Sequence, residues 1–317
     1  MSPASTRQAS QDCDISGVRA DGEALPSVLA FNASDPIGAG GLASDALVIA
    51  SIGAHALPVV TGTYLRDSRD TFGHAALDDG AVAEQAAVVA EDTPPQVIKV
   101  GFVGSAESLA AVAAFAADYP TVPLIAYMPD LSWWTDQEID TYLDAFRELL
   151  LPQTAVLVGN NTTLRHWLLP ESAARRHAST TGLARAAAEF GVPYVLVTGM
   201  PLDGDRIGNV LASPQAELLS QSFERIDATF IGAGDILSAA LAALLATGSD
   251  LTDAVTEALQ YLDQGLDHGF RPGMGRAVAD RLFWAAADDA DDAQAADPEA
   301  DTPSPLDISS PFNATKH

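Results

Sequence analysis

The sequence predicts an α/β fold in three layers, with a central and mostly parallel sheet flanked by helices. Three observations carry this. Strand-like apolar runs alternate with helical patterns along most of the chain, as expected of strand–helix units that lay their strands in parallel. Several of these runs (Leu124–Tyr127, Ala155–Val158, Tyr194–Thr198) are short and apolar, as strands covered on both faces are. Two glycine-rich turns, one near each end of the pattern, each lead into a helix.

Val28–Phe31 reads as the first strand. Gly41–Ile52 has helical spacing, with Leu42, Ala46 and Ile49 on one face. His55–Val60 and Val97–Val100 are the next strands, the latter followed by an Ala-rich helix over Ala106–Ala117. Helices over Asp136–Leu150 and Thr181–Phe190 separate the three buried strands named above. Arg206–Leu211 and Ala216–Ser220 alternate polar and apolar residues and read as an antiparallel hairpin. Helices Asp235–Ala246 and Leu251–Leu266 close the pattern. No repeat and no interior linker interrupts it. Residues 26–285 therefore read as one domain, between an N-terminal arm, 1–25, and an Ala/Asp/Pro-rich tail, 286–317.

Composition narrows the partners. The 317 residues are 48% hydrophobic, enough for a large core. There are 43 acidic and 16 basic residues, a formal net charge of −27. Such a surface repels nucleic acid and anionic membranes, and the charge pattern fits a high-salt setting. The single cysteine, Cys13, excludes an intramolecular disulfide and a cysteine metal site. No signal peptide and no apolar run long enough to span a bilayer are read, so the expected location is the cytoplasm. His55, His74 (read in a loop), His166 and His177 show no ligand spacing with a third acidic partner, so zinc is not expected and no metal ligand is assigned. Trp133-Trp134 reads as core or interface more than as a substrate lid.

The chemistry concentrates at Ile231-Gly232-Ala233-Gly234-Asp235, followed by the apolar run Ile236–Leu245. A glycine-bracketed turn entering a helix points several backbone N–H groups one way, and the helix dipole reinforces them. Gly232, Ala233 and Gly234 then form an anion hole. Asp235 at its mouth is placed to take a proton from an alcohol whose oxygen attacks a phosphoryl group. Read alone, the tetrapeptide also fits a tight turn with an Asp cap. The second turn, Asn32-Ala33-Ser34-Asp35-Pro36-Ile37-Gly38-Ala39-Gly40-Gly41, lies beyond a strand's carboxyl end, where open parallel sheets bind ligands. It is neither a P-loop nor a dinucleotide fingerprint.

The two turns together resemble the ribokinase superfamily, and within it the hydroxymethylpyrimidine/phosphomethylpyrimidine kinases of thiamin biosynthesis. Ser34-Asp35-Pro36 through Leu42-Ala43-Ser44-Asp45 follows the family's Thr-Asp-Pro to Ile-Gln-Ala-Asp without a gap. Ser51-Ile52-Gly53-Ala54-His55 resembles Ala-Leu-Gly-Ala-Tyr, and Lys99-Val100-Gly101-Phe102 resembles Lys-Ile-Gly-Met. Gly273-Met274-Gly275 and Phe283-Trp284 resemble the closing Gly-Ile-Gly and aromatic pair, so the likeness covers Ser27–Trp284.

The resemblance implies a ribokinase-like kinase using ATP and Mg²⁺. Its acceptor would be the hydroxymethyl group of 4-amino-5-hydroxymethyl-2-methylpyrimidine, and its assembly a homodimer. Asp45, Arg66, Phe102 and Gly40 would bind the small-molecule substrate; Thr198, Gly199 and Asn160 would bind the nucleotide. The sequence departs from the family at five places. Asp235 stands where it usually has Cys, and Arg66 where it has Gln. Asn160-Asn161-Thr162-Thr163 lacks the Glu of Asn-x-x-Glu, and Thr198 replaces the Lys of Lys-Gly-Gly. Tyr127-Met128-Pro129-Asp130 replaces Asp-Pro-Val-Met. A guanidinium only donates hydrogen bonds, so Arg66 favours an acceptor-rich or phosphorylated ligand. The missing Glu and Lys weaken the expected hold on nucleotide. Two alternatives follow: a pyridoxal/pyridoxine kinase, and a non-catalytic ligand-binding protein on the same scaffold.

Overall fold

The computed structural model describes residues 25–170 and 178–285. The chain divides into two units, residues 1–281 and 282–317, and only residues 282–285 of the second are described. Cys13, His177, the N-terminal arm up to residue 24 and the tail from 286 lie outside the described residues.

Nine strands form one sheet: β1 (Ser27–Ser34), β2 (His55–Arg66), β3 (Thr71–Ala76), β4 (Val97–Val100), β5 (Leu124–Met128), β6 (Thr154–Asn160), β7 (Tyr194–Leu202), β8 (Arg206–Ala212) and β9 (Glu217–Glu224). Their spatial order is β3-β2-β1-β4-β5-β6-β7-β8-β9. The six strands from β2 to β7 in that order are parallel, and β3, β8 and β9 are antiparallel additions at the two edges. From β1 the chain first builds outward to β2 and β3, then returns to place β4 on the other side of β1. That reversal opens a crevice beyond the carboxyl ends of β1 and β4.

Helices cover both faces. One carries α1 (Gly41–Ile52), α7 (Ala233–Ala246) and α8 (Leu251–Asp267); the other carries α2 (Asp79–Asp92), α3 (Ala106–Ala117), α4 (Asp136–Ala145), α5 (Asn161–Leu168) and α6 (Thr180–Ala188). Strand alternation divides the core accordingly. Val28 and Ala30 of β1 face α1 and α7, while Leu29 and Phe31 face the opposite layer. Helix α7 is buried on every side, from Ile236 to Leu244, because it lies between the sheet and its neighbours α1 and α8. Each buried Leu or Ile there contributes about 1.5–3 kcal/mol, which makes the N-terminus of α7 a rigid platform.

Local signals start the other helices. Asp78 and Ser105 cap α2 and α3 through N–H groups of Ala81 and Ser108, and Thr135 with Glu138 forms a capping box on α4.

The structure departs from the sequence reading at several elements. The second strand does not stop at Val60: β2 continues to Arg66 because its outer half pairs with β3. His74 accordingly sits in β3 and not in a loop. The helix expected over Asp136–Leu150 ends at Ala145 and continues as a π turn, Phe146–Leu150. Helices α2 and α5, strand β3 and a two-stranded parallel pair, β10 (Phe230–Ile231) with β11 (Ala277–Val278), were not expected. Helix α2 buries only Val82, Ala86 and Ala90, every fourth residue, and so shows little apolar contrast.

Candidate active site

Register builds the site. Lys99 of β4 pairs alongside Ala30 of β1, and Asn32 lies two residues further along β1 on the same face. Both side chains therefore point beneath the start of α1 and α7. There Lys99 meets Asp45 of α1 and Asp235 of α7, and all four residues are buried, with Asp235 the most exposed at 8%.

The cluster is saturated. Lys99 Nζ donates to Asp45 Oδ1 at 2.8 Å, to Asp45 Oδ2 at 2.8 Å and to Asp235 Oδ1 at 3.0 Å, which uses its three protons. Asn32 Nδ2 donates to Asp45 Oδ2 at 2.9 Å and Asp235 Oδ1 at 2.8 Å. Its Oδ1 accepts from the Ala33 and Phe102 amides at 2.9 and 3.1 Å. Asp235 Oδ2 accepts a single bond, from the Gly41 N–H at 3.2 Å.

Charges follow from this packing. Burial pushes the Asp45 carboxyl up to about 6, against the pull of Lys99 and with help from the neighbouring Asp235 charge. Burial acts on Asp235 in the same direction, yet the Lys99 charge and the hydrogen bonds to its oxygens hold it below the ordinary carboxylate range. Burial alone would lower Lys99; the two carboxylates outweigh it and raise the ammonium.

Asp235 is the third residue of α7, at the helix's positive end. The first intrahelical bond there runs from Ile236 N–H to Gly232 O, so the amides of Ala233, Gly234 and Asp235 precede the ladder. The turn before them approaches the first glycine turn closely. Gly232 has φ +81°, and a Cβ on it would lie 1.8 Å from Ala39 O. A Cβ on Gly40 would lie 2.5 Å from Asp235 Oδ2. Asp35 shapes that first turn, accepting from Ile37 N–H at 3.2 Å and Gly40 N–H at 2.9 Å. It also faces Arg66 Nη1 at 3.7 Å.

Two cavities share Tyr127 and Gly232 in their walls. The larger, about 410 Å³, lies against Ala233 and Gly234; Asn160, Thr198, Gly199 and Asn209, the charged Glu224, Arg225 and Asp263, and apolar residues such as Phe230 and Leu262 are also in its walls. The smaller, about 280 Å³, holds Asp235, Arg66, Arg69 and Arg276, with Tyr64 and Trp133 as aromatic walls and Asp70 and Asp130 at its acidic side. Ser68 ties the loops bearing the outer arginines together: its carbonyl accepts Arg276 N–H at 2.8 Å and its Oγ accepts Gly275 N–H at 3.1 Å. Arg66 lies over the Tyr64 ring at 5.4 Å, and its Nε is buried without a hydrogen-bond partner.

Thr198, Gly199, Asn160, Gly232, Ala233 and Gly234 thus come together on the larger cavity, and Arg66 and Asp235 on the smaller. Three expected substrate contacts sit elsewhere. Asp45 is 0% exposed behind Asp235, Phe102 is 1% exposed and stacked behind Tyr64, and Gly40 is packed against Asp235; none lines either cavity. Trp133 lines the smaller cavity, whereas Trp134 packs on His74 and donates to its Nδ1 at 3.2 Å. The residues not anticipated at the site are Asn32, Lys99, Tyr64, Tyr127, Arg69 and Arg276. One signal was present for Lys99: it is one of two lysines in the chain and interrupts an apolar strand. Among the described residues no group of three or more His, Cys, Asp or Glu side chains is placed to hold a metal ion. Nor is any helix among them long and apolar enough to cross a membrane.

The profile of the phosphomethylpyrimidine kinase family matches residues 35–280. The hydroxymethylpyrimidine/phosphomethylpyrimidine kinase of Streptomyces coelicolor is 29% identical over 265 residues, covering 82% of this chain and 95% of that protein. Among solved structures, the pyridoxal kinase of Bacillus subtilis in its ADP complex superimposes with a TM-score of 0.72 at 18% identity, over 83% of this chain and 99% of that one. The phosphomethylpyrimidine kinase of Clostridium difficile 630 gives 0.60 at 19% identity, over 74% and 98%. These two show the ribokinase-like fold, and the match to the family profile over most of the domain shows that the chain belongs to the phosphomethylpyrimidine kinase family.

Proposed function

We propose that this protein phosphorylates the hydroxymethyl group of 4-amino-5-hydroxymethyl-2-methylpyrimidine, and the monophosphate so formed, with ATP as donor, in thiamin biosynthesis. The observation that supports it most is the position of Asp235 and the α7 amides, at the junction of two cavities of unequal size and chemistry. ATP occupies the larger cavity, near Asn160, Thr198 and Gly199. The acceptor occupies the smaller, against Trp133 and beside Arg66 and Asp235.

In the reaction the acceptor oxygen forms a bond to the γ-phosphorus, and the bond from that phosphorus to the β–γ bridging oxygen breaks. ADP leaves with the electron pair. The alcohol's proton passes to Asp235 Oδ2, the oxygen with a lone pair to spare. The amides of Ala233, Gly234 and Asp235 receive the charge on the transferring oxygens. Magnesium, when bound, neutralises charge on the phosphates.

The arginines of the smaller cavity favour the monophosphate as acceptor, because the buried Arg66 Nε and its guanidinium edge present charge-assisted donors to a phosphate. The protein acts on a small molecule and, as part of the same reading, is a homodimer in the cytoplasm.

Steady-state assays with ATP·Mg²⁺ and three acceptors (the pyrimidine alcohol, its monophosphate and pyridoxal) test the reading. Turnover of the pyrimidines above pyridoxal is expected, with kcat falling about 10²–10⁴-fold in Asp235→Asn. Preference for pyridoxal would turn the assignment to a vitamin B6 kinase. Binding of ring compounds without ATP binding, read by calorimetry, would make the protein a non-catalytic binder.

A further inference from the structure

Asp45 and Lys99 touch neither cavity, yet they carry two of the three charges in the buried cluster. We propose that they are positioning residues for the base: Lys99 fixes Asp235 Oδ1 so that Oδ2 faces the acceptor, and Asp45 offsets the ammonium so that Asp235 stays basic enough to take the proton. The proposal rests on the phosphoryl-transfer reading above.

The geometry carries it. Asp235 Oδ1 holds two donors, Lys99 and Asn32, and Oδ2 holds one, the Gly41 N–H. Proton uptake therefore falls to Oδ2. Lys99 contacts both oxygens of Asp45 at 2.8 Å but only one of Asp235, at 3.0 Å. With one cation between two carboxylates, the cluster carries one net negative charge. It becomes neutral when Asp235 accepts the alcohol's proton, so the step takes buried charge away, which a low-dielectric site favours.

Without Asp45, Lys99 would neutralise Asp235 alone and leave a weak base. Without Lys99, two carboxylates would face each other and hold one proton between them. The other groups facing Asp235 are Tyr64 and Arg66 from β2, Tyr127 from β5, and Arg69, Asp70, Asp130 and Arg276 around the smaller cavity; Asp35, which pairs with Arg66, lies behind them. All are left unchanged in the test.

Sign follows from the two carboxyls. On acidification the first proton goes to Asp45, whose carboxyl stands at about 6, while Asp235 remains ionised and loses its counterweight. The kcat of the wild type is thus expected to fall as pH drops through about 6.

The test compares wild type, Asp45→Asn, Lys99→Met and the charge-balanced double variant. It uses the pH dependence of kcat and, on substrate-free protein labelled with ¹³C-Asp, an infrared titration of the carboxyls. In Asp45→Asn the acid limb near the wild-type position disappears and the plateau of kcat drops at least about ten-fold, the effect of one pKa unit on the base. In Lys99→Met the limb moves to higher pH by about one unit or more. In the double variant, which also lacks Asp45, the limb belongs to Asp235 alone and lies at higher pH than any limb of Asp45→Asn because the Lys99 charge no longer holds that carboxyl down; it stands in if Lys99→Met fails to fold.

An Asp235 carboxyl titration unmoved in both single variants and an acid limb of kcat unmoved in Lys99→Met, with kcat merely lowered, would assign the pair a structural role and overturn the proposal. If the infrared titrations shift as described while the wild type turns over neither pyrimidine, the acceptor reading fails and the coupling of the three charges stands.

Discussion

Arg66 shows how one side chain combines shape and charge. Its Cα lies on the outer half of β2, and its guanidinium is held between the Tyr64 ring and Asp35 at the wall of the smaller cavity. A glutamine there could both donate and accept; the guanidinium only donates, and it matches a phosphate geometrically. Arg66→Gln is expected to raise KM for the monophosphate about ten-fold or more, from loss of a charge-assisted hydrogen bond, with a smaller change for the free alcohol. Arg276→Ala, at an exposed position, is expected to do the same more weakly. Equal effects on both acceptors, measured side by side, would remove the arginines from acceptor selection.

Among the elements, the turn into α7 is the most demanding. Its φ of +81° at Gly232 and the approach of Ala39 O leave no space for a side chain. Gly232→Ala is expected to push the α7 N-terminus off Ala39, lowering kcat about 10²-fold as amide donors leave their aim and costing about 1–2 kcal/mol in left-handed strain. Thermal unfolding and kcat measured together check this; unchanged kcat would mean that the amides do not serve the transferring phosphate. The rigidity of the arrangement comes from behind the turn, where α7 is buried on every side between α1, α8 and the sheet.

For the whole molecule, a formal charge of −27 over 317 residues sets a strong self-repulsion that salt screens. The unfolding midpoint is expected to rise with added KCl across the molar range, and a falling midpoint would overturn that expectation. The edge strand β3, with Phe72 71% exposed, is where a second copy is proposed to dock. Sedimentation velocity on wild type and Phe72→Glu checks this: a dimer that the variant dissociates is expected, and a monomeric wild type would exclude it.

The strand–helix alternation and both glycine turns could be read from sequence because each depends on neighbours within a few residues. Apolar periodicity follows from strand and helix geometry, and the left-handed or crowded positions in those turns admit only glycine. Asp235 could be singled out for the same reason, since it sits in a local motif at the start of α7; Asn160, Thr198 and Gly199 were marked only by the family resemblance. The partners of Asp235 could not, because they are set by register through space. Lys99 lies 136 residues from Asp235 and 54 from Asp45 along the chain, and only the pairing of β4 beside β1 brings the three together. For the same reason a sequence motif could place Asp45 near the ligand while only the packed fold decided that it stands behind the base. Burial and charge balance belong to the assembled interior, and no local spacing encodes them.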